Sequence, residues 1–545
     1  MRFSLFLIIL VMIPFASRAE SGGDFPNDRK CLTFMPEARK RSMPELMDNR
    51  PVNQTAYRTP SGNFLIHYDT TGSEAVDLRD ANHNGTPDYI DSVAYYFELA
   101  HDTYVNQMGY ITPIPDNLNA GPEYDIYISD QGNKGGAYGW TFAESRIFPE
   151  KVFPRYYTYI VIDNDYSPTD SSSHSGRKTR SYYTTGIDGM KITAIHELHH
   201  AIQYRYGYLT SMSTIAEMTS TFMEYRFFPE IHDFYQYVNS LFDNISRYAF
   251  GSGDPLAGYR YSIFGQYLYK NFGDSLLLRM WEIIGGGTTA YAALDSAIVE
   301  RGSNIELEWR RFTPWLYYTG ERAVDGQYFD NAADFPELSP TEERGIEYPS
   351  TMISGAMNAF GHEMVRINNN SLCGRTPDEL DVLLANTDRR ALTEEFQRQT
   401  NYTIACTGGF MDGFEHIGPF YYKFSGDAAL LMDSKFVSEG EDAREIAYAF
   451  PNPFDPGRHD ALWLPLPVES AKIDEQIEFQ ILDARLKIIY AGSVMPELRG
   501  DFYALPWQDF PDELGSGVYF YRLPDVPACD GTSKSHFGKF AILRK

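Results

Sequence analysis

The sequence predicts a multidomain α+β protein, in which one large strands-then-helices segment precedes two β-sandwich-like units. Three observations lead there. Alternating apolar patterns occupy residues 63–68, 124–128 and 157–162, whereas helical periodicity dominates from about Gly186 to Arg322. Beyond Ala323 the chain returns to short apolar stretches between turn residues, such as Met364-Val365-Arg366-Ile367, Val382-Leu383-Leu384 and Leu430-Leu431-Met432. Aromatic residues make up 15% of the 545 positions, which suits packing on pleated surfaces.

Taken in order, the elements begin with a leader. Arg2 precedes an apolar run from Leu5 to Phe15, and Ala16-Ser17-Arg18-Ala19 ends in small residues, so residues 1–19 read as a secretory signal peptide. The apolar run is too short to span a bilayer, reaching only about 16 Å as a helix. No later run approaches the length of a spanning helix, so the mature chain is expected to have none. Residues 20–59 are polar and contain Arg39-Lys40-Arg41, the pattern of an extended arm or a pro-segment. The strands-then-helices segment covers 60–325, a β-rich unit 326–440, and a last β unit 446–545, with a polar linker between the last two. Export makes Cys31, Cys373, Cys406 and Cys529 potential disulfide partners, and no pair of them has metal-ligand spacing.

Charge excludes some partners. Asp plus Glu number 74 against 47 Lys plus Arg, a formal net charge of −27, which argues against nucleic acid and anionic membrane surfaces.

The most informative stretch is Ile195-His196-Glu197-Leu198-His199-His200-Ala201. Positions four apart share a helix face, so His196 and His200 can reach one cation. Glu197 is offset by one position and can address a water beside that cation. Zinc suits neutral imidazole plus carboxylate and brings a water's pKa towards about 7. His199 points to another face. Glu217 lies on a second predicted helix and supplies the third ligand, with Glu224, two turns further on, as the alternative. Three protein ligands with one open position is the catalytic zinc arrangement.

These residues resemble the gluzincin metallopeptidases. His196-Glu197-x-x-His200 with a downstream Glu is their signature, and Ala216 to Ser220 is similar to their glutamate-bearing helix, although Met218 stands where Gly is usual. A wider set of motifs over about 60–325 resembles a family of secreted bacterial proteins assigned to that clan as metalloproteases. The motifs are Ile66-His67-Tyr68, the Asp80–Asp91 loop, His196 to Gln203, Glu217 to Glu224, Tyr261 to Gly273 and Phe312-Thr313-Pro314-Trp315. The resemblance implies a zincin-like catalytic domain that hydrolyses peptide bonds, with Glu197 as general base and a protein or peptide as substrate. It also implies an oxyanion-stabilising hydroxyl, for which Tyr261 is the matching position.

Asp80 to Asp91 has the form of an EF-hand-type calcium loop. Oxygen donors stand at Asp80, Asn82, Asn84, Thr86 and Asp88, Gly85 is at the sharp turn, and Asp91 closes the loop where Glu is usual. A helix from Val93 to Met108 is expected to follow. The competing reading is an Asx-rich turn capping that helix. Asp163-Asn164-Asp165, at a strand end, reads as a turn or a second metal feature.

The last hundred residues carry Phe450-Pro451-Asn452-Pro453-Phe454, then Trp507, Gly515-Ser516-Gly517 and Gly538 to Lys545 in order. They resemble the C-terminal sorting β-sandwich of type IX secretion substrates, which is similar to flagellar-hook-cap modules. That resemblance implies the secretion machinery as a partner, and the bacterial surface or medium as location. The leading expectation is a secreted zinc endopeptidase with structural calcium. The alternative is an inactive surface adhesin or glycan-binding protein on the same scaffold.

Overall fold

A computed structural model describes residues 30, 31, 33 and 50–544, except 116–120, 135, 148–151, 175–176, 253, 255, 346–349, 369–378, 388–398, 408–419, 425–429, 433–448, 467–475, 500–501, 512–513 and 528–532. The expected signal peptide and most of the arm therefore lie outside the described residues. The chain divides into two compact units, one made of Met1–Leu99, Pro115–Phe142 and Tyr159–Glu197, the other of Ala100–Ile114, Ala143–Thr158 and Leu198–Lys545.

The first unit is built on a five-stranded sheet of order β1-β2-β3-β5-β4. Its strands are β1 (Thr55–Arg58), β2 (Phe64–Tyr68), β3 (Tyr124–Ile128), β4 (Gly139–Arg146) and β5 (Tyr156–Ile162). β1 pairs antiparallel with β2, whereas β2/β3 and β3/β5 are parallel. Every residue of central β3 is buried, as a strand covered on both faces requires. The expected strands at 63–68, 124–128 and 157–162 are thus present. β1 corrects the expected boundary of the N-terminal arm: residues 55–58 are an edge strand of the sheet. The parallel steps require crossovers, and helix α1 (Asp88–His101) fills the first of them. It starts inside the Asp80–Asp91 loop, earlier than the expected Val93, and a π-helical turn, Asp102–Gln107, continues it.

Helix α2 (Gly186–Tyr206) belongs to both units, because the division falls between its residues Glu197 and Leu198. Gly186 enters it at φ +61° and Gly207 leaves it at φ +135°, conformations that cost a glycine little. Ile195, Leu198, Ala201 and Ile202 are all at least 98% buried, so the helix is central.

In the second unit follow α3 (Ser213–Phe227), α4 (Tyr235–Asp243), α5 (Ser262–Phe272), α6 (Ser275–Gly285), α7 (Ala290–Val299) and α8 (Ile305–Tyr317). Close approach to α3 depends on glycine: a Cβ at Gly258 would lie 2.5 Å from the Thr214 carbonyl, and one at Gly265 would lie 2.7 Å from Phe222 Cβ. Helical packing continues past the expected boundary at 325, since Phe335 stacks on Phe242 and meets Phe234 and Tyr235 edge-on.

Beyond residue 341 the regular elements among the described residues are strands, as expected. A four-stranded sheet joins Glu342–Gly345, His362–Asn368, Glu379–Asn386 and Leu430–Met432, and a three-stranded one joins Ser350–Asn358, Gln399–Thr407 and Phe420–Phe424. His362 stacks on Trp309 of α8, and burial pushes its imidazole pKa down to about 3. Farther on, sheets of three and four strands share one core of Leu462, Leu464, Leu505 and Trp507 with Phe479, Ile481, Tyr521 and Phe540. Phe454, from the Asn452-Pro453-Phe454 motif, is fully buried and hydrogen-bonds the backbone of the last strand. The whole is a mixed α/β protein of helices and several sheets.

Candidate metal centre

On α2, His196, Glu197, His199 and His200 are each at least 99% buried. Burial of four polar side chains on two turns demands partners, and those partners divide the residues by role. His200 Nδ1 lies 2.8 Å from Gln203 Oε1 and 3.2 Å from Ser220 Oγ. Its other nitrogen, Nε2, lies 3.4 Å from Glu217 Oε2. This is the pattern in which one imidazole nitrogen is oriented by a hydrogen bond while the other is offered to a cation.

His199 does something else. Its Nδ1 lies 2.9 Å from both Ser220 Oγ and Gln203 Nε2. Its ring stacks on Tyr104 and meets Tyr110 and Trp281 edge-on. It packs α2 on its neighbours, in keeping with its position on another face. Gln203 ties the assembly together, because its amide also reaches the Ala216 carbonyl, Thr219 and Ser220 of α3. The small residues of α3 permit that approach.

Glu217 is 97% buried on α3, and Gly258 abuts its Cβ. One donor atom from each of Cys31, His196, His200 and Glu217 lies within 4.8 Å of the other three. This group includes Glu217 and not Glu224, although Glu224 is also buried. Two imidazoles, a carboxylate and a thiol converging in a buried place are the donors that zinc takes. The residues present therefore fit the cation that the sequence pattern implies.

Glu197 faces hydroxyls. Thr141 Oγ1 donates from 2.7 Å to Glu197 Oε2, and Thr33 Oγ1 donates to the same oxygen from 3.2 Å. Thr141 belongs to edge strand β4, where a Cβ at Gly139 would lie 2.6 Å from Thr193 Cγ2 and 3.0 Å from Glu197 Cγ. Neither Thr33, Cys31 nor β4 was anticipated from the sequence. Cys31 was read only as a disulfide partner; here it is buried and, among the described residues, joins no disulfide. The only sequence signal was its lying in a segment that could act as a pro-segment. Cys373 and Cys529 lie outside the described residues, as does the side chain of Cys406.

Tyr261 is a correction. It is fully buried, its hydroxyl donates to the Tyr248 carbonyl at 2.8 Å, and its ring packs on Phe250 and Trp309. Burial holds its phenol far above the ordinary range, with Arg260 opposing. A hydroxyl whose proton is committed to a backbone carbonyl in an aromatic core is a packing residue, not an oxyanion donor.

The Asp80–Asp91 loop is partly as expected. Asn82 Nδ2 and Asn84 Nδ2 both donate to Asp91 Oδ2, at 2.9 and 2.8 Å. Asp80 accepts the backbone N–H groups of Asn84 and Gly85, and Gly85 takes φ +86°. Thr86 is buried and sends its N–H to Asn84 Oδ1. Asp80, Asn82, Asn84 and Asp91 are thus gathered. Asp88 is not with them: it accepts from Ala81 N–H and Arg79 Nε, bonds that hold its carboxyl below the usual range. Its role is to close the entrance to α1, so it is corrected from ligand to cap.

Asp163 resolves as an anchor for turns. Oδ1 accepts the N–H groups of Gln131 and Gly132, and Oδ2 those of Asp165 and Tyr166. It groups with Asp130 and Asp170. Burial, and then the charges of Asp163, Asp165 and Asp130, push the Asp170 carboxyl up to about 7.

Among the described residues no helix is long and apolar enough to cross a membrane. The chain matches no protein-family model and no curated protein.

Proposed function

We propose that the protein is an exported zinc-dependent endopeptidase with a gluzincin-like, zincin-type catalytic domain, in which His196, His200 and Glu217 hold the metal. The observation that carries this reading is the convergence of those three donors beside a buried Glu197 carboxylate. Zinc held there would polarise a peptide carbonyl and acidify a water. Glu197 takes a proton from the attacking water at a carboxylate oxygen and returns it to the leaving nitrogen. Thr141, hydrogen-bonded to Oε2, fixes that carboxylate's orientation. Gln203 and Ser220 hold the His200 ring and its tautomer. Calcium at Asp80, Asn82, Asn84 and Asp91 would brace the entrance to α1. The C-terminal sandwich would serve export to the bacterial surface or medium.

The test is Glu197→Gln in the full chain, assayed on an unfolded protein substrate alongside zinc content. Retained zinc with hydrolysis lowered by about 10²-fold or more supports the reading. Hydrolysis equal to that of the parent chain overturns the role of Glu197. An absence of zinc and of hydrolysis in the parent itself favours the adhesin reading.

A further inference from the structure

The N-terminal segment reaches the proposed catalytic residues. Lys30 and Cys31 lie beside edge strand β4: Tyr138 N–H donates to the Lys30 carbonyl at 2.9 Å, and Cys31 forms a parallel bridge with Gly139. An edge strand offers unpaired backbone groups, and adding an extended peptide to it is a general mode of peptide recognition. The segment's described residues Lys30, Cys31 and Thr33 are all at least 93% buried, and the Lys30 ammonium lies 5.5 Å from the centre of the Tyr138 ring.

Two of its side chains meet the two halves of the chemistry. Cys31 Sγ belongs to the donor group with His196, His200 and Glu217. Thr33 Oγ1 donates to Glu197 Oε2 while accepting from Cys31 Sγ at 2.9 Å and from Thr141 N–H at 2.9 Å. One short segment therefore touches both the cation position and the general base.

We propose that Cys31 is a fourth, displaceable metal ligand and that Cys31 and Thr33 together keep the centre latent; this rests on the zinc reading above. Four protein ligands close a zinc site, whereas catalysis needs an open position. On binding, the thiol gives its proton to solvent and the thiolate takes the fourth place. On release the sulfur regains a proton from solvent, the fourth position opens, and Thr33 leaves Glu197. The parallel bridge at Gly139 also covers the start of β4, an edge on which an extended substrate would bind.

The test uses the full chain loaded with cobalt(II) in place of zinc, read by near-ultraviolet absorption, with Cys31→Ser and His196→Ala beside it. A thiolate-to-cobalt charge-transfer band in the parent chain, lost in Cys31→Ser while that variant still binds cobalt, is the expected result. Cobalt bound equally by both with no thiolate band overturns the proposal and leaves the zinc reading standing. Failure of the parent chain to bind cobalt any better than His196→Ala overturns both. Should Cys31→Ser fail to fold, the parent chain decides alone: a thiol that alkylates faster after chelation supports ligation, and an unchanged rate overturns it. The latent state is read separately, as higher proteolytic activity in the alkylated chain or in Cys31→Ser than in the untreated parent; equal activity overturns latency.

Discussion

Two regions of this molecule gather oxygen, nitrogen and sulfur donors, and they do so in opposite ways. The Asp80–Asp91 loop collects its donors, all but Thr86 exposed or partly exposed, from twelve consecutive positions, and joins Asn82, Asn84 and Asp91 through bonds within the loop. The centre on α2 draws donors from Cys31, His196, His200 and Glu217, all buried, with Cys31 and His200 held by further hydrogen bonds to Thr33, Gln203 and Ser220. A local loop can bind a hard cation by rearranging, because water competes for each donor at little cost. A buried centre must be preassembled, since a desolvated donor without a partner is costly. The difference predicts a rigid, high-affinity site in one place and an adjustable, weaker one in the other.

The comparison breaks most directly at Glu217→Ala. Elemental analysis should show zinc lost from the purified protein and calcium retained. Zinc unchanged would show that the ligand set lies elsewhere. Gln203→Leu tests preassembly without touching a ligand. Removing the nearer partner of His200 Nδ1 should weaken zinc about 10–100-fold in a competitive chelator titration. An unaltered affinity would mean that Ser220 suffices to orient the ring.

At the other region, Asp91→Ala should abolish the calcium-dependent rise in melting temperature while leaving zinc content intact. A calcium response that survives would reduce the loop to a cap for α1. Smaller still is the effect expected at Tyr261→Phe. Proteolytic turnover should stay within a few-fold of the parent, because the hydroxyl serves Tyr248. A fall of 10²–10³-fold, the usual cost of losing an oxyanion donor, would return Tyr261 to the reaction.

Asp170 contributes a pH signature separate from either region. Its folded pKa of about 7 lies above the ordinary aspartate value of 3.8, so the folded state holds an extra proton between those values. Stability from this group is therefore present at low pH and lost as pH rises towards and through about 7. Asp170→Asn should flatten that part of the melting-temperature profile, leaving the variant relatively more stable at alkaline pH. A profile parallel to that of the parent would place the carboxyl in a less buried setting.

Much of this was legible because it is local. The spacing of His196 and His200 sets one helix face, and the offsets of Asp80, Asn82, Asn84 and Gly85 set a turn, whatever the remainder of the chain does. Alternation likewise revealed β2, whose burial alternates along it, and short apolar runs revealed β3 and β5, which are buried along most of their length. Strand β4 escaped because Gly139-Trp140-Thr141-Phe142-Ala143-Glu144-Ser145-Arg146 grades from buried to exposed along its length and does not read as a clear strand. Asp88 was misread as a ligand because spacing cannot show that Arg79 and Ala81 claim its oxygens.

The sequence by itself determined which residues could carry the chemistry: a helix presenting two imidazoles and an offset carboxylate, and a second helix bearing acids. Only the tertiary structure decided which acid meets the imidazoles, that Tyr261 is sequestered in an aromatic core, and that Cys31 and Thr33 reach the centre. Helix periodicity and turn geometry are properties of adjacent residues. The approach of Thr33 to Glu197, 164 positions away, depends on pairing along a sheet edge, and no spacing along the chain encodes it.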